Sequence, residues 1–102
     1  MISEALRLLR VFNDMKSIEL SKKLGISQSY LSEIERGKKT PTLDLLQKYG
    51  EVFNLKVSTL LFFSEELDKD KKNDVKDSIG KKMIKLLQII EKLGGLEESE
   101  NV

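Results

Sequence analysis

The chain has 102 residues, with 18 Lys and Arg against 17 Asp and Glu for a net charge of +1, and it contains no Cys, no His and no Trp. These absences exclude a disulfide framework, a thiolate zinc site and any mechanism built on a thiol nucleophile or an imidazole base. No apolar run approaches the ~18 residues that a membrane helix requires.

The length suits one compact domain, or a small domain with an appendage. Glu4, Arg7 and Arg10 interrupt the apolar residues of the N-terminus, which therefore lacks the pattern of a signal peptide. A reducing, cytoplasmic setting is the expectation. Charge is unevenly spread: residues 1–63 carry a net +3 and residues 64–102 a net −2.

Helical spacing dominates the chain, and no alternating strand pattern competes with it. Ile2, Leu6, Leu9 and Phe12 define a first helix, with Ser3 or a neighbour as its cap. Ile18, Leu20 and Leu24 define a short second helix that Gly25 stops, in the manner of a left-handed C-cap. Ser27 reads as the N-cap of a third helix, with Leu31 and Ile34 on its apolar face and Gly37 at its end. Thr40 or Thr42 caps a fourth helix carrying Leu43, Leu46, Tyr49 and Phe53, with Pro41 at its start and Asn54 at its end. A short fifth helix holds Val57, Leu60 and Leu61.

From Glu65 the run becomes densely charged, so residues 64–74 read as a solvated linker. Beyond it, Ile79, Met83, Leu86, Ile90 and Leu93 recur at alternating spacings of four and three, a seam of about two heptads. Gly94 and Gly95 end this helix, and residues from Glu97 to Val102 read as a frayed tail. The predicted architecture is all-α: a five-helix bundle over residues 1–63, a charged linker over 64–74, and a C-terminal amphipathic helix with its tail over 75–102.

The informative segment is residues 17–36. It is a short helix, a turn with Gly25, and a second helix anchored by Ile26, Leu31 and Ile34. Small Ser21 sits where two crossing helices must approach closely. Gln28, Ser29, Ser32 and Glu33 are left facing outward. This is the layout of a helix-turn-helix, whose second helix enters the DNA major groove.

Here the sequence resembles the phage-repressor, or Cro-type, helix-turn-helix regulators. The likeness is carried by Leu20-Ser21-Lys22-Lys23-Leu24-Gly25-Ile26-Ser27-Gln28-Ser29-Tyr30-Leu31-Ser32-Glu33-Ile34-Glu35-Arg36-Gly37 and by the stretch from Pro41 to Leu61, and covers roughly residues 3–63. Two positions depart from the family: Ser21 replaces the usual Ala, and Ser17 stands where Gln is frequent and reaches less far toward a phosphate. The resemblance implies that Gln28, Ser29, Ser32 and Glu33 face base edges. Ser17, Tyr30, Arg36, Lys38, Lys39 and Thr40 would contact the phosphate backbone, and Arg10 would form a structural ion pair with Glu35. The bland alternative is that these are ordinary solvated surface residues.

The function expected is a sequence-specific regulator of double-stranded DNA: a homodimeric repressor of prophage, antitoxin or restriction-modification controller type. Phe62, Phe63, Ile79, Met83, Leu86, Ile90 and Leu93 are the expected dimerisation residues, with folding of the last helix onto its own bundle as the alternative. A second reading keeps the helix-turn-helix as scaffold for a protein-interaction module, and a protein antagonist is a possible partner. Catalysis finds no support. Glu33 and Glu35 are two apart on a helix and diverge, and Gly37-Lys38-Lys39-Thr40 lacks the first glycine and the preceding strand of a phosphate loop. No cofactor, metal, small-molecule substrate or membrane is implied.

Overall fold

The computed structural model describes residues 1–71 and 79–94. They form six helices: α1 (Ile2–Phe12), α2 (Ser17–Leu24), α3 (Gln28–Glu35), α4 (Leu43–Phe53), α5 (Val57–Lys71) and α6 (Ile79–Leu93). Among the described residues no helix is long and apolar enough to cross a membrane.

Local chemistry sets the helix ends. Ser27 Oγ accepts from the Tyr30 amide at 3.0 Å, and Thr42 Oγ1 accepts from the Leu45 amide at 3.1 Å. Each satisfies one of the donors that a helix start leaves open. Thr42, one residue past Pro41, is thus the cap of α4. Gly25 ends α2 at φ +73°, where a side chain is strained, and the Ile26 amide then donates to the Ser21 carbonyl at 3.0 Å. Asn54 closes α4 in the left-handed region at φ +58°, a conformation asparagine tolerates better than most residues. The α1 cap is Met1 rather than Ser3, which is buried inside the first turn.

The core is continuous. Ala5, Leu6, Leu8 and Leu9 of α1 pack with Leu20, Leu24, Leu31, Ile34, Tyr49 and the buried face of α5. Ser21 is buried, its hydroxyl donating to the Ile18 carbonyl at 2.8 Å, so the close approach at this position leaves no orphan donor.

Two expectations about the C-terminal part need correcting. The fifth helix is not short, and residues 64–71 are helix rather than linker. Leu60, Phe63, Ser64 and Leu67 continue one buried stripe at spacings of three and four, while Glu65, Asp68 and Lys69 lie toward solvent or its edge. Residues 72–74 of the expected linker, and the tail from Glu97, lie outside the described residues.

The apolar seam of α6 is turned toward its own bundle. Leu86 and Ile89 are buried, Met83 and Ile90 half-buried, and α6 packs on α5 and α1. Lys82 Nζ donates to Glu4 Oε2 at 2.9 Å across the α1–α6 contact. Phe63 is 0% exposed in the bundle core, tilted against Phe12 with ring centroids 6.3 Å apart. Phe63 and Leu86 are therefore spent on intramolecular packing and are not dimer contacts. Phe62 stays partly exposed beside α6, and Ile79 and Leu93 are exposed at the ends of that helix. The radius of gyration, 13.5 Å, is that of a closed domain of about 100 residues rather than of a bundle with a projecting helix.

Candidate nucleic-acid interface

The site is built on α2, the Gly25 turn and α3. Leu31 and Ile34 are fully buried, which pins one face of α3 to the bundle and turns the opposite face outward. Gln28, Ser29, Ser32, Glu33 and Arg36 line one open concavity of about 380 Å³ on that outer face. All five residues present polar or charged side chains, so the surface offers hydrogen-bond donors and acceptors and little to hold an apolar ligand.

Gln28 is not a free side chain. Its Nε2 donates to Ser17 Oγ at 3.0 Å, linking the first turn of α3 to the first turn of α2. Ser17, which departs from the family's usual residue, is thereby positioned as a prop for Gln28. The amide oxygen and second N–H of Gln28 remain available to a ligand. Nothing in the sequence marked this pairing, because the two residues are eleven apart and meet only once α2 and α3 cross.

The angle of α3 is fixed from behind. Arg10 on α1 grips Glu35 with a bidentate fork: Nε to Oε2 at 2.8 Å and Nη2 to Oε1 at 3.0 Å. Its Nη1 donates to the Met15 carbonyl at 3.0 Å, in the loop between α1 and α2. One guanidinium thus ties α1, α3 and the entry to α2. The hydrogen bonds to Glu35 raise the Arg10 pKa above its already high ordinary value, against the lowering effect of burial. Tyr49 packs in the core beside this pair. Burial raises the pKa of its phenol, and the Glu35 charge adds to the rise.

The Tyr49 hydroxyl has no hydrogen-bond partner although the residue is fully buried. Tyr49→Phe is accordingly expected to leave stability unchanged or raise it by up to about 1 kcal/mol, because it removes a desolvated polar group without opening a cavity. Thermal unfolding of the variant checks this.

The basic elements cluster at the far end of α3. The Gly37 backbone is left-handed at φ +77°, and the Lys38 and Lys39 amides both donate to the Glu33 carbonyl, at 2.9 and 3.3 Å. The loop therefore folds over the C-terminus of α3, with Arg36, Lys38, Lys39 and Thr40 exposed. Cations there also complement the negative end of the helix dipole. Tyr30 is half-buried against the core, so only the edge of its ring is open to a ligand. Expected base-facing residues thus share one concavity, while expected backbone-contacting residues lie in two groups, Ser17 at one end of α3 and Arg36 to Thr40 at the other.

A two-helix unit with a tight glycine turn, an outward polar helix and a basic loop at its end defines a helix-turn-helix protein. Residues 6–60 match the helix-turn-helix family, and the chain belongs to it. The chain is 34% identical to the HTH-type transcriptional regulator SinR of Bacillus licheniformis, over 78% of each protein. It is 26% identical to the immunity repressor protein of Bacillus phage phi105, over 96% of this chain and 70% of that one. A crystal structure of SinR, the master regulator for biofilm formation, in complex with DNA superimposes with a TM-score of 0.56 at 37% identity, covering 60% of this chain and 98% of the other. The chain is thus a transcription regulator of this family, and its relatives are regulators rather than enzymes.

Proposed function

We propose that this chain is a homodimeric repressor that inserts α3 into the major groove of double-stranded DNA and reads a short, roughly palindromic operator. The observation that carries the reading is the outward polar concavity of α3, held at a fixed angle by the Arg10–Glu35 fork and flanked by the basic loop. Gln28, steadied by Ser17, meets adenine through its remaining acceptor and donor, a bidentate contact that discriminates by about 1–3 kcal/mol. Ser29 and Ser32 hydrogen-bond to neighbouring base edges. Glu33 accepts from the cytosine amino group and penalises sites that bring a phosphate there. Arg36, Lys38, Lys39 and Thr40 hold the sugar-phosphate backbone, with Ser17 and the edge of Tyr30 in support; such contacts set register without reading sequence.

Two copies related by a two-fold axis would place their α3 helices in successive major grooves, about 34 Å apart. Coupling two half-sites raises affinity through effective concentration. Repression then follows from occupying a promoter, in the cytoplasm where the DNA lies. The phage immunity repressor among the relatives supports the prophage type of this reading.

The test is a binding selection from random double-stranded DNA at near-physiological salt. An enriched inverted repeat with half-sites about one turn apart is the expected result. Gln28→Ala should weaken binding to that site by about tenfold while leaving binding to unrelated DNA unchanged. Lys38→Ala with Lys39→Ala should weaken binding to both alike, and should lower the salt slope by roughly 0.9 for each phosphate no longer neutralised. A selection without enrichment, or a Gln28→Ala variant that weakens on all sequences equally, would sink the reading and leave the interaction-module alternative.

A further inference from the structure

The inward turn of α6 leaves a different stripe facing solvent. Ile84 and Leu87 are 56% and 57% exposed, which is unusual for large aliphatic side chains one helical turn apart. The flank they occupy borders a groove of about 220 Å³ between α6 and the C-terminal ends of α1 and α4. Phe12, Phe53, Leu55, Met83 and Ile90 form its apolar wall, and Leu87 stands at its rim. No charged side chain lines it. Its single polar residue, Asn13, spends its amide nitrogen on the Leu9 carbonyl at 2.7 Å. The opposite flank of α6 is basic, with Lys85 and Lys92 beside Gln88. Apolar exposure on α6 is thus confined to one side, where a knob and a hole lie next to each other.

We propose that a second copy of this chain covers this flank, the two α6 helices crossing antiparallel about a two-fold axis between Ile84 and Leu87. In an isologous contact each copy supplies the same patch, so adjacent knob and hole are what self-complementarity requires. Ile84 of one copy meets Leu87 of the other, and each Leu87 closes over the opposing groove.

Charge decides the orientation. Glu91 lies on the same helix face as Ile84 and Leu87, at the i+7 and i+4 positions. It has no hydrogen bond or ion pair with any described residue of its own chain. A parallel, in-register pairing would set Glu91 against Glu91. The antiparallel pairing instead brings Glu91 opposite Lys81 of the second copy, twice by symmetry. This interface rests on the dimeric reading given above and replaces the seam through Leu86 that the sequence suggested.

Sedimentation velocity of the full chain, without DNA, tests it. The wild-type chain should be a dimer. Leu87→Lys should weaken dimerisation by at least about a hundredfold, since symmetry removes two buried leucines per dimer. Its thermal unfolding at monomeric concentrations should stay unchanged, because Leu87 is exposed within the protomer. Glu91→Lys and Lys81→Glu should each weaken the dimer by about two- to tenfold, and the double exchange should restore it. A chain that stays monomeric, a dimer indifferent to Leu87→Lys, or a charge exchange without recovery would overturn the proposal. A dimer that ignores Leu87 yet still selects an inverted repeat would overturn this interface alone and leave DNA reading standing.

Discussion

Replacing Arg10 by methionine is expected to lower the stability of the chain by about 2–4 kcal/mol, with a fall in Tm of roughly 10–20 °C. The effect is not chiefly the removal of a favourable interaction. Glu35 is 8% exposed at its side chain, so removing the guanidinium strands a carboxylate away from water with no partner. The Met15 carbonyl is deprived of its donor in the same step. Arg10→Lys keeps the charge but not the planar fork. It should therefore fall between the wild type and the methionine variant.

The double variant Arg10→Met with Glu35→Leu separates the two roles of the pair. With both charges gone nothing is stranded, and much of the stability should return. The angle of α3 would then be set by packing alone. DNA affinity in the double variant should stay below wild type even as Tm recovers. Denaturant unfolding and operator binding measured on the four proteins of this cycle would show it. A double variant that recovers both stability and affinity would mean that the pair does nothing for the position of α3.

How much of this was legible in the sequence depends on the range over which each feature is decided. Ser27, Thr42, Gly25 and Asn54 act within a turn of themselves, so their roles as helix ends can be read locally. The extent of α5 is less visible. Charges at 65, 66, 68 and 69 mask the spacing of Leu60, Phe63 and Leu67, although that spacing was the signal that could have found it. The faces of α6 were not legible at all. Ile79, Met83, Ile84, Leu86, Leu87, Ile89, Ile90 and Leu93 surround most of the helix, and only the position of α1 and α5 decides which of them are buried. At the candidate site, the polar face of α3 follows from its buried anchors, whereas the Ser17–Gln28 contact depends on a crossing angle that no local pattern encodes.

Gly50 is the clearest case of a residue whose reason lies entirely in tertiary structure. In the middle of α4 it reads as a defect, since glycine costs a helix interior about 1 kcal/mol relative to alanine. Yet a Cβ built at Gly50 would lie 2.5 Å from the Leu55 carbonyl oxygen. The chain reverses at left-handed Asn54 and folds back across the helix there, and the Leu55 amide donates to the Gly50 carbonyl at 2.9 Å. This close passage is what lets α5 begin at Val57 and lie against α1. Gly50→Ala should therefore destabilise the chain by about 1–3 kcal/mol, the cost of overpacking against backbone that cannot swing aside as a side chain would. The gain in helix propensity offsets part of that and leaves the sign unchanged. Gly25→Ala makes the contrast. It meets no atom within 4 Å, so its penalty is the left-handed backbone alone, about 1 kcal/mol. Denaturant unfolding of the two variants should rank Gly50→Ala as the more damaging. The reverse order would mean that the α4–α5 turn relaxes freely around the added methyl group, and that the junction holding α5 against α1 is soft.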